Sequence, residues 1–137
     1  TDGEPAPLFL QRLDQRADNQ ITSLEIMGVL MALATFAPLI YERRVILYED
    51  NTGAEGSVRR GSARVWDHCR MVHEIWTLAY QLKLHLWIER VPSAQNIADL
   101  PSRCEYEIMK GLQARWMRPN LPQLIMHELA DYAQPRP

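Results

Sequence analysis

Cysteine is scarce in this 137-residue chain: Cys69 and Cys104 are the two present, and they stand far apart. They form no C-x-x-C pair and belong to no His/Cys cluster, which argues against a zinc site. Read as two reduced structural thiols, they point to an intracellular setting, nuclear or cytoplasmic. Charge of one sign is also lacking. Fifteen Lys and Arg face seventeen Asp and Glu, for a net charge of −2. That balance leaves nucleic-acid binding open, because such binding needs a local basic patch rather than a basic total. No apolar run reaches the roughly 18 residues that spanning a bilayer requires, so no membrane partner is expected. No charged-then-apolar leader opens the chain, and Thr1 to Pro7 read as a chain entry or a cut point. Internal repeats and low-complexity tracts are absent.

The patterning that is present predicts a folded α/β domain. Apolar residues make up 47% and charged residues 23%, enough to build a core without disulfides or a structural metal. Leu8 to Leu13 reads as a weak strand. Ile21 to Ala37 is rich in Leu, Met and Ala and predicts a helix stopped by Pro38, with Asn19 or Thr22 as its cap. Arg44 to Glu49 is a short, nearly all-apolar run of the kind found in strands covered on both faces. Glu55 to Ser62 predicts a short helix and a loop. Val65 to Leu82 carries apolar residues at Val65, Cys69, Val72, Ile75, Trp76, Ala79 and Leu82, close to an i, i+3/i+4 series and so an amphipathic helix. Leu84 to Val91 is the second clear strand, ended by Pro92. Short helices are expected over Ala94 to Leu100, stopped by Pro101, over Glu105 to Arg115 and over Leu121 to Tyr132. Strands alternating with helices imply parallel pairing and right-handed crossovers.

Three acids stand out by context. Glu25 is the only charge between Asp18 and Glu42, inside an apolar helix. A carboxylate there needs solvent at an edge, a partner or a cation. Asp50 ends a buried-type strand, and Asp99 follows the second strand after a Pro-containing loop. Ligands of open α/β sheets gather beyond the carboxyl ends of strands, which is where Asp50 lies. The plain alternatives are a solvated helix-edge Glu, a helix-capping Asp50 and a surface Asp99. Spacing alone leaves these alternatives open.

The segments ITSLEIMGVLMAL, RVILYEDNTGA and RVPSAQNIADLPSR occur in an order that resembles the ribonuclease H-like domains of retroelement reverse transcriptases, especially DIRS-like elements. The resemblance rests on Glu25 in a first helix, Asp50-Asn51 at a strand end, and Asn96-Ile97-Ala98-Asp99 before a last helix, with Pro101-Ser102-Arg103 trailing. It covers Leu8 to Arg103. It implies a mixed sheet flanked by helices over residues 1–104, followed by a C-terminal helical extension over residues 105–137. It also implies hydrolysis of the RNA strand of RNA·DNA hybrids by two Mg²⁺ ions, or Mn²⁺, held about 4 Å apart by Glu25, Asp50 and Asp99. Hybrid recognition would go by shape and 2′-OH contacts.

The chain departs from that family at its start. The family's first carboxylate is an Asp on a first strand, two strands ahead of the Glu helix. Twenty-four residues precede Glu25, too few for three strands and their connections. Asp2 lies in a Thr-Asp-Gly, but Glu4-Pro5-Ala6-Pro7 follows and cannot continue a central strand. Leu8 to Leu13 is therefore read as the third strand of an N-terminally truncated sheet, which another polypeptide or segment would complete. The loop Arg90 to Ser93 also lacks the His that many cellular relatives carry.

Arg59, Arg60, Arg64 and Arg70 form a candidate phosphate-contacting patch whose plain alternative is a solvated helix face. Asn51, Asn96 and Arg103 join the candidate substrate contacts. Trp66, Trp76, Trp87 and Trp116 read as core or partner contacts rather than base-stacking platforms. The four histidines show no ligand spacing. Three readings result: a metal-dependent ribonuclease H, a non-catalytic binding or scaffold module of the same fold in a larger protein or ribonucleoprotein complex, and a generic α/β interaction domain.

Overall fold

The computed structural model describes residues 20–120. The expected Leu8–Leu13 strand, the Leu121–Tyr132 helix and Asp2 lie outside them. Helix α1 (Gln20–Ile40) leads into strand β1 (Arg44–Glu49), helix α2 (Thr52–Arg60), helix α3 (Trp66–Gln81) and strand β2 (His85–Arg90). A 3₁₀ turn (Ser93–Gln95) and the short helices α4 (Asp99–Ser102) and α5 (Glu107–Gly111) follow. The protein is thus α/β, and its two strands pair in parallel from Arg44 opposite His85 to Glu49 opposite Arg90. Parallel pairing requires a crossover, which α2 and α3 supply.

The core lies between the helices and one face of this sheet. Ile26, Met27, Val29, Leu30 and Leu33 of α1 meet Ala54 and Val58 of α2, Met71, Val72 and Ile75 of α3, and Ile88 of β2. Each fully buried aliphatic side chain contributes roughly 1.5–3 kcal/mol. The expected series along α3 holds at Val72, Ile75 and Ala79, and Met71 widens it. Met71 is fully buried, whereas Cys69 and Trp76 sit at its margin. Asp67 and His68 are buried at the start of α3, where Ser23 of α1 hydrogen-bonds the His68 ring.

Several expectations are corrected. α1 runs past Pro38 to Ile40. A proline so near the helix end removes a single ladder bond, and Tyr41 N–H still reaches the Ala37 carbonyl at 3.1 Å. Ile21–Ile40 is long and apolar enough to cross a membrane by length and composition, contrary to the expectation that no run is. Half of that stretch is buried within this fold, and the core helix of a water-soluble domain passes the same test. Pro101 lies inside α4 rather than stopping a helix before it, because first-turn residues need no N–H partner. The helix expected over Glu105–Arg115 shortens to Glu107–Gly111. Gln113 takes a left-handed φ of 56°, and the Ala114 N–H closes onto the Met109 carbonyl.

β1 is not covered on both faces. Its burial alternates: Val45, Leu47 and Glu49 point inward, while Ile46 and Tyr48 are 58% and 59% exposed beside Trp87 at 66%. Of the four tryptophans, Trp76 alone packs against the core. Trp66, Trp87 and Trp116 are exposed, and Trp76 is half-buried.

Candidate metal centre

The site is built where β1 turns into α2. Thr-Gly-Ala-Glu-Gly is a poor helix start by intrinsic preference, so its caps matter. The Asn51 side chain accepts from the Ala54 N–H at 2.9 Å as N-cap. At the other end Gly61, with φ 73°, takes the left-handed conformation and returns its N–H to Ser57 and Val58. Gly53 allows α1 to approach this turn. A Cβ there would stand 3.1 Å from Thr22 Oγ1, tighter than ordinary contact. Glu25 lies one helical turn beyond Thr22 and is thereby brought beside the end of β1.

Glu25, Glu49 and Asp50 each offer a carboxylate oxygen, and these three atoms lie within 4.8 Å of one another. Of the three acids singled out from the sequence, Glu25 and Asp50 therefore converge. Glu49 was not singled out. It closes the inward series Val45, Leu47, Glu49 and is 6% exposed. Its Oε1 accepts from the Asn51 N–H at 3.0 Å.

Asp99 falls outside this tight group but is close enough to act on it. Burial first, then the charges of Asp50 and Asp99, push the Glu25 carboxyl above the usual carboxylate range. Glu49 is pushed up to about 7, mainly by burial and further by Glu25 and Asp50, against the lowering pull of the Asn51 and Asp50 N–H groups. Asp99 itself pairs with Arg103 at 2.8 Å and receives the Ser102 hydroxyl on its backbone carbonyl at 2.6 Å.

The Asn96 side chain links the two halves of the site. Its Nδ2 donates to Asp50 Oδ2 at 2.9 Å, and its Oδ1 accepts from the Ala98 N–H at 3.1 Å. The same amide thus folds the loop that carries Asp99 and orients Asp50.

The basic candidates divide. Arg59 is committed within the fold, its Nη2 donating to the Ile88 carbonyl at 2.9 Å and pairing with Glu55 at 2.8 Å. Arg70 pairs with Glu74 at 2.7 Å. Arg60 and Arg64 are exposed. Arg103 is held by Asp99, and Asn51 by its capping role.

Hard carboxylate oxygens from a helix and a strand end, crowded and partly desolvated, form a donor set suited to Mg²⁺ or Mn²⁺. No protein-family model matches the chain, and neither a curated protein nor a solved structure matches it.

Proposed function

We propose that this chain is a ribonuclease H-like domain of retroelement type that hydrolyses the RNA strand of RNA·DNA hybrids with Mg²⁺ or Mn²⁺. The observation that supports this reading most is the meeting of Glu25 and Asp50, from segments 25 residues apart, within 4.8 Å and together with a third acid. Glu25, Glu49 and Asp50 would hold the ions, with Asp99 completing the set once it releases Arg103. Bound there, the ions would supply Lewis-acid charge and a water of lowered pKa. The chain's own residues do the remaining work. Asn96 donates to Asp50 and so would hold its carboxylate in the orientation a metal ligand needs. The Asn51 N–H fixes Glu49. Arg60 and Arg64 offer exposed cations to the hybrid backbone.

The test is cleavage of a labelled RNA·DNA hybrid with Mg²⁺ or Mn²⁺, comparing wild type with Asp50→Asn and Glu49→Gln. Loss of cleavage in both variants supports the reading. Equal rates in wild type and Asp50→Asn exclude a catalytic role for this site.

A second reading, a non-catalytic module of the same ancestry, is favoured by one observation: Asp99 is occupied by Arg103 and Ser102 rather than pointing freely at the other acids. Metal binding without hybrid cleavage would select it. Under either reading, a sheet of two strands among the described residues, with Ile46, Tyr48 and Trp87 exposed on its outer face, favours a further polypeptide or segment completing it.

A further inference from the structure

We propose that the cleft between the C-terminal end of α2 and the outer face of α3 binds single-stranded nucleic acid. The cleft has a volume of about 600 Å³ and is walled by Arg60 on one side and by His73, Trp76, Thr77 and Tyr80 on the other. It shares the class of ligand and Arg60 with the proposed nuclease reading and uses none of the acids.

Residues 73, 76, 77 and 80 follow i, i+3, i+4, i+7 and so form one stripe on α3. The core stripe of that helix is a different one, Met71, Val72, Ile75 and Ala79. α3 therefore presents a second ordered face, aromatic and polar, of which core packing accounts for Trp76 alone. Tyr80 is 85% exposed, the most of any large hydrophobic side chain among the described residues.

Rigidity and charge then narrow the ligand. The Trp76 indole donates to the Val58 carbonyl at 2.7 Å, which locks its ring and leaves its outer surface as a fixed wall. Gly61 stands against that ring, with the nearest indole atoms 3.9 Å from where a Cβ would be. Arg59 is spent on Glu55 and the Ile88 carbonyl, but the Arg60 guanidinium forms no ion pair among the described residues and lies over Gly56. An Arg60 side chain without an ion pair among the described residues, lining one cleft with Trp76, Tyr80, His73 and Thr77, suits a ligand that alternates anion and flat ring. Single-stranded nucleic acid has that alternation, and base–aromatic stacking is tolerant of sequence. The place is apt as well. α2 starts at the acid cluster and ends at this cleft. Its nine residues span roughly 13 Å, or about four stacked nucleotides. A strand leaving the acid cluster along α2 would reach Tyr80.

The experiment is fluorescence anisotropy of short labelled oligo(dT) and oligo(U) strands with the full chain, in EDTA and low salt. Wild type is expected to bind both. Tyr80→Ala should weaken binding about fivefold or more, and Tyr80→Phe should restore it. Arg60→Gln should reduce the slope of log affinity against log salt by roughly 0.7. Both side chains are exposed, so thermal melts of the variants should overlay wild type and exclude misfolding as the cause. The proposal is overturned if wild type binds neither strand, if Tyr80→Ala binds as wild type does, or if poly-glutamate displaces the strand as well as unlabelled strand does, which would assign the cleft to an acidic peptide. Binding is read in EDTA and cleavage with Mg²⁺ or Mn²⁺, so strand binding in the first with no hybrid cleavage in the second would refute the nuclease reading alone, and cleavage without Tyr80-dependent strand binding would refute this one alone.

Discussion

Replacing Glu49 by Gln should make the metal-free protein more stable, and only above a particular pH. In the fold this carboxyl titrates at about 7 instead of its ordinary 4.5, chiefly because it is buried and also because Glu25 and Asp50 repel its charge. Protons are therefore held more tightly by the folded state than by the unfolded chain. No penalty exists below about pH 4.5, where both states are protonated. It grows as pH rises from 4.5 and is fully developed above about 7, where the folded protein must carry the buried charge. The displacement corresponds to about 3 kcal/mol, or roughly 10 °C in melting temperature for a domain of this size. Gln keeps an oxygen for the Asn51 N–H but cannot ionise. Urea unfolding of wild type and Glu49→Gln, compared at about pH 4 and about pH 8, should give curves that converge at the acid end and separate by a few kcal/mol at the alkaline end, the variant being the more stable. Millimolar Mg²⁺ should then close most of the gap at high pH, since a cation at 100 times its Kd adds about 2.7 kcal/mol to a protein able to bind it. A wild-type-to-variant difference independent of pH would refute the electrostatic account of this site.

Three further outcomes are expected. Asn96→Ala removes the Nδ2 bond to Asp50 and should weaken Mg²⁺ binding about 10-fold or more by titration calorimetry, with little change in unfolding midpoint because Asn96 lies near the surface. Gly61→Ala should cost roughly 1–2 kcal/mol in urea melts, from the left-handed φ of 73° alone, because the added methyl would meet Trp76 only at ordinary contact distance. Ile75→Ala, at a fully buried position between α1, α2 and the sheet, should destabilise by about 2–5 kcal/mol in the same assay.

Much of the scaffold was legible because it rests on local patterning. The run RVILYE, the run HLWIER and the periodic segment after Val65 each bury enough apolar surface to dictate their own conformation, and they form β1, β2 and α3. What was misjudged depended on contacts distant in sequence. Nothing local shows that Arg59 would be tied down by the Ile88 carbonyl, 29 residues away. The burial of Met71, Asp67 and His68 beside the expected α3 stripe follows from where α1 lies, which the α3 sequence does not encode. Glu49 is a different case. Its signal was present, since Val45, Leu47 and Glu49 alternate along the strand and share one face. A charge ending an apolar run invites a reading as the solvated end of the strand. The alternation places it inside instead.

Glu49 also explains how two adjacent acids can serve one site. Neighbouring residues of a strand point to opposite faces, so Glu49 and Asp50 should diverge. They converge because the strand ends between them. β1 stops at Glu49, Asn51 already caps α2, and the Asn51 N–H turns back to the Glu49 carboxylate. The Glu-Asp-Asn triplet is thus a tight exit from the sheet that gathers charge where Glu25 already waits. A purely structural turn would pair these acids with cations. The nearby arginines are instead committed elsewhere, Arg59 to Glu55 and Ile88 and Arg103 to Asp99. Three crowded carboxylates, with the pKa values of Glu25 and Glu49 raised by burial and by one another's charge, make the fold less stable than it would be without them. Such uncompensated cost concentrates at functional sites, and a divalent cation is the simplest species that removes it.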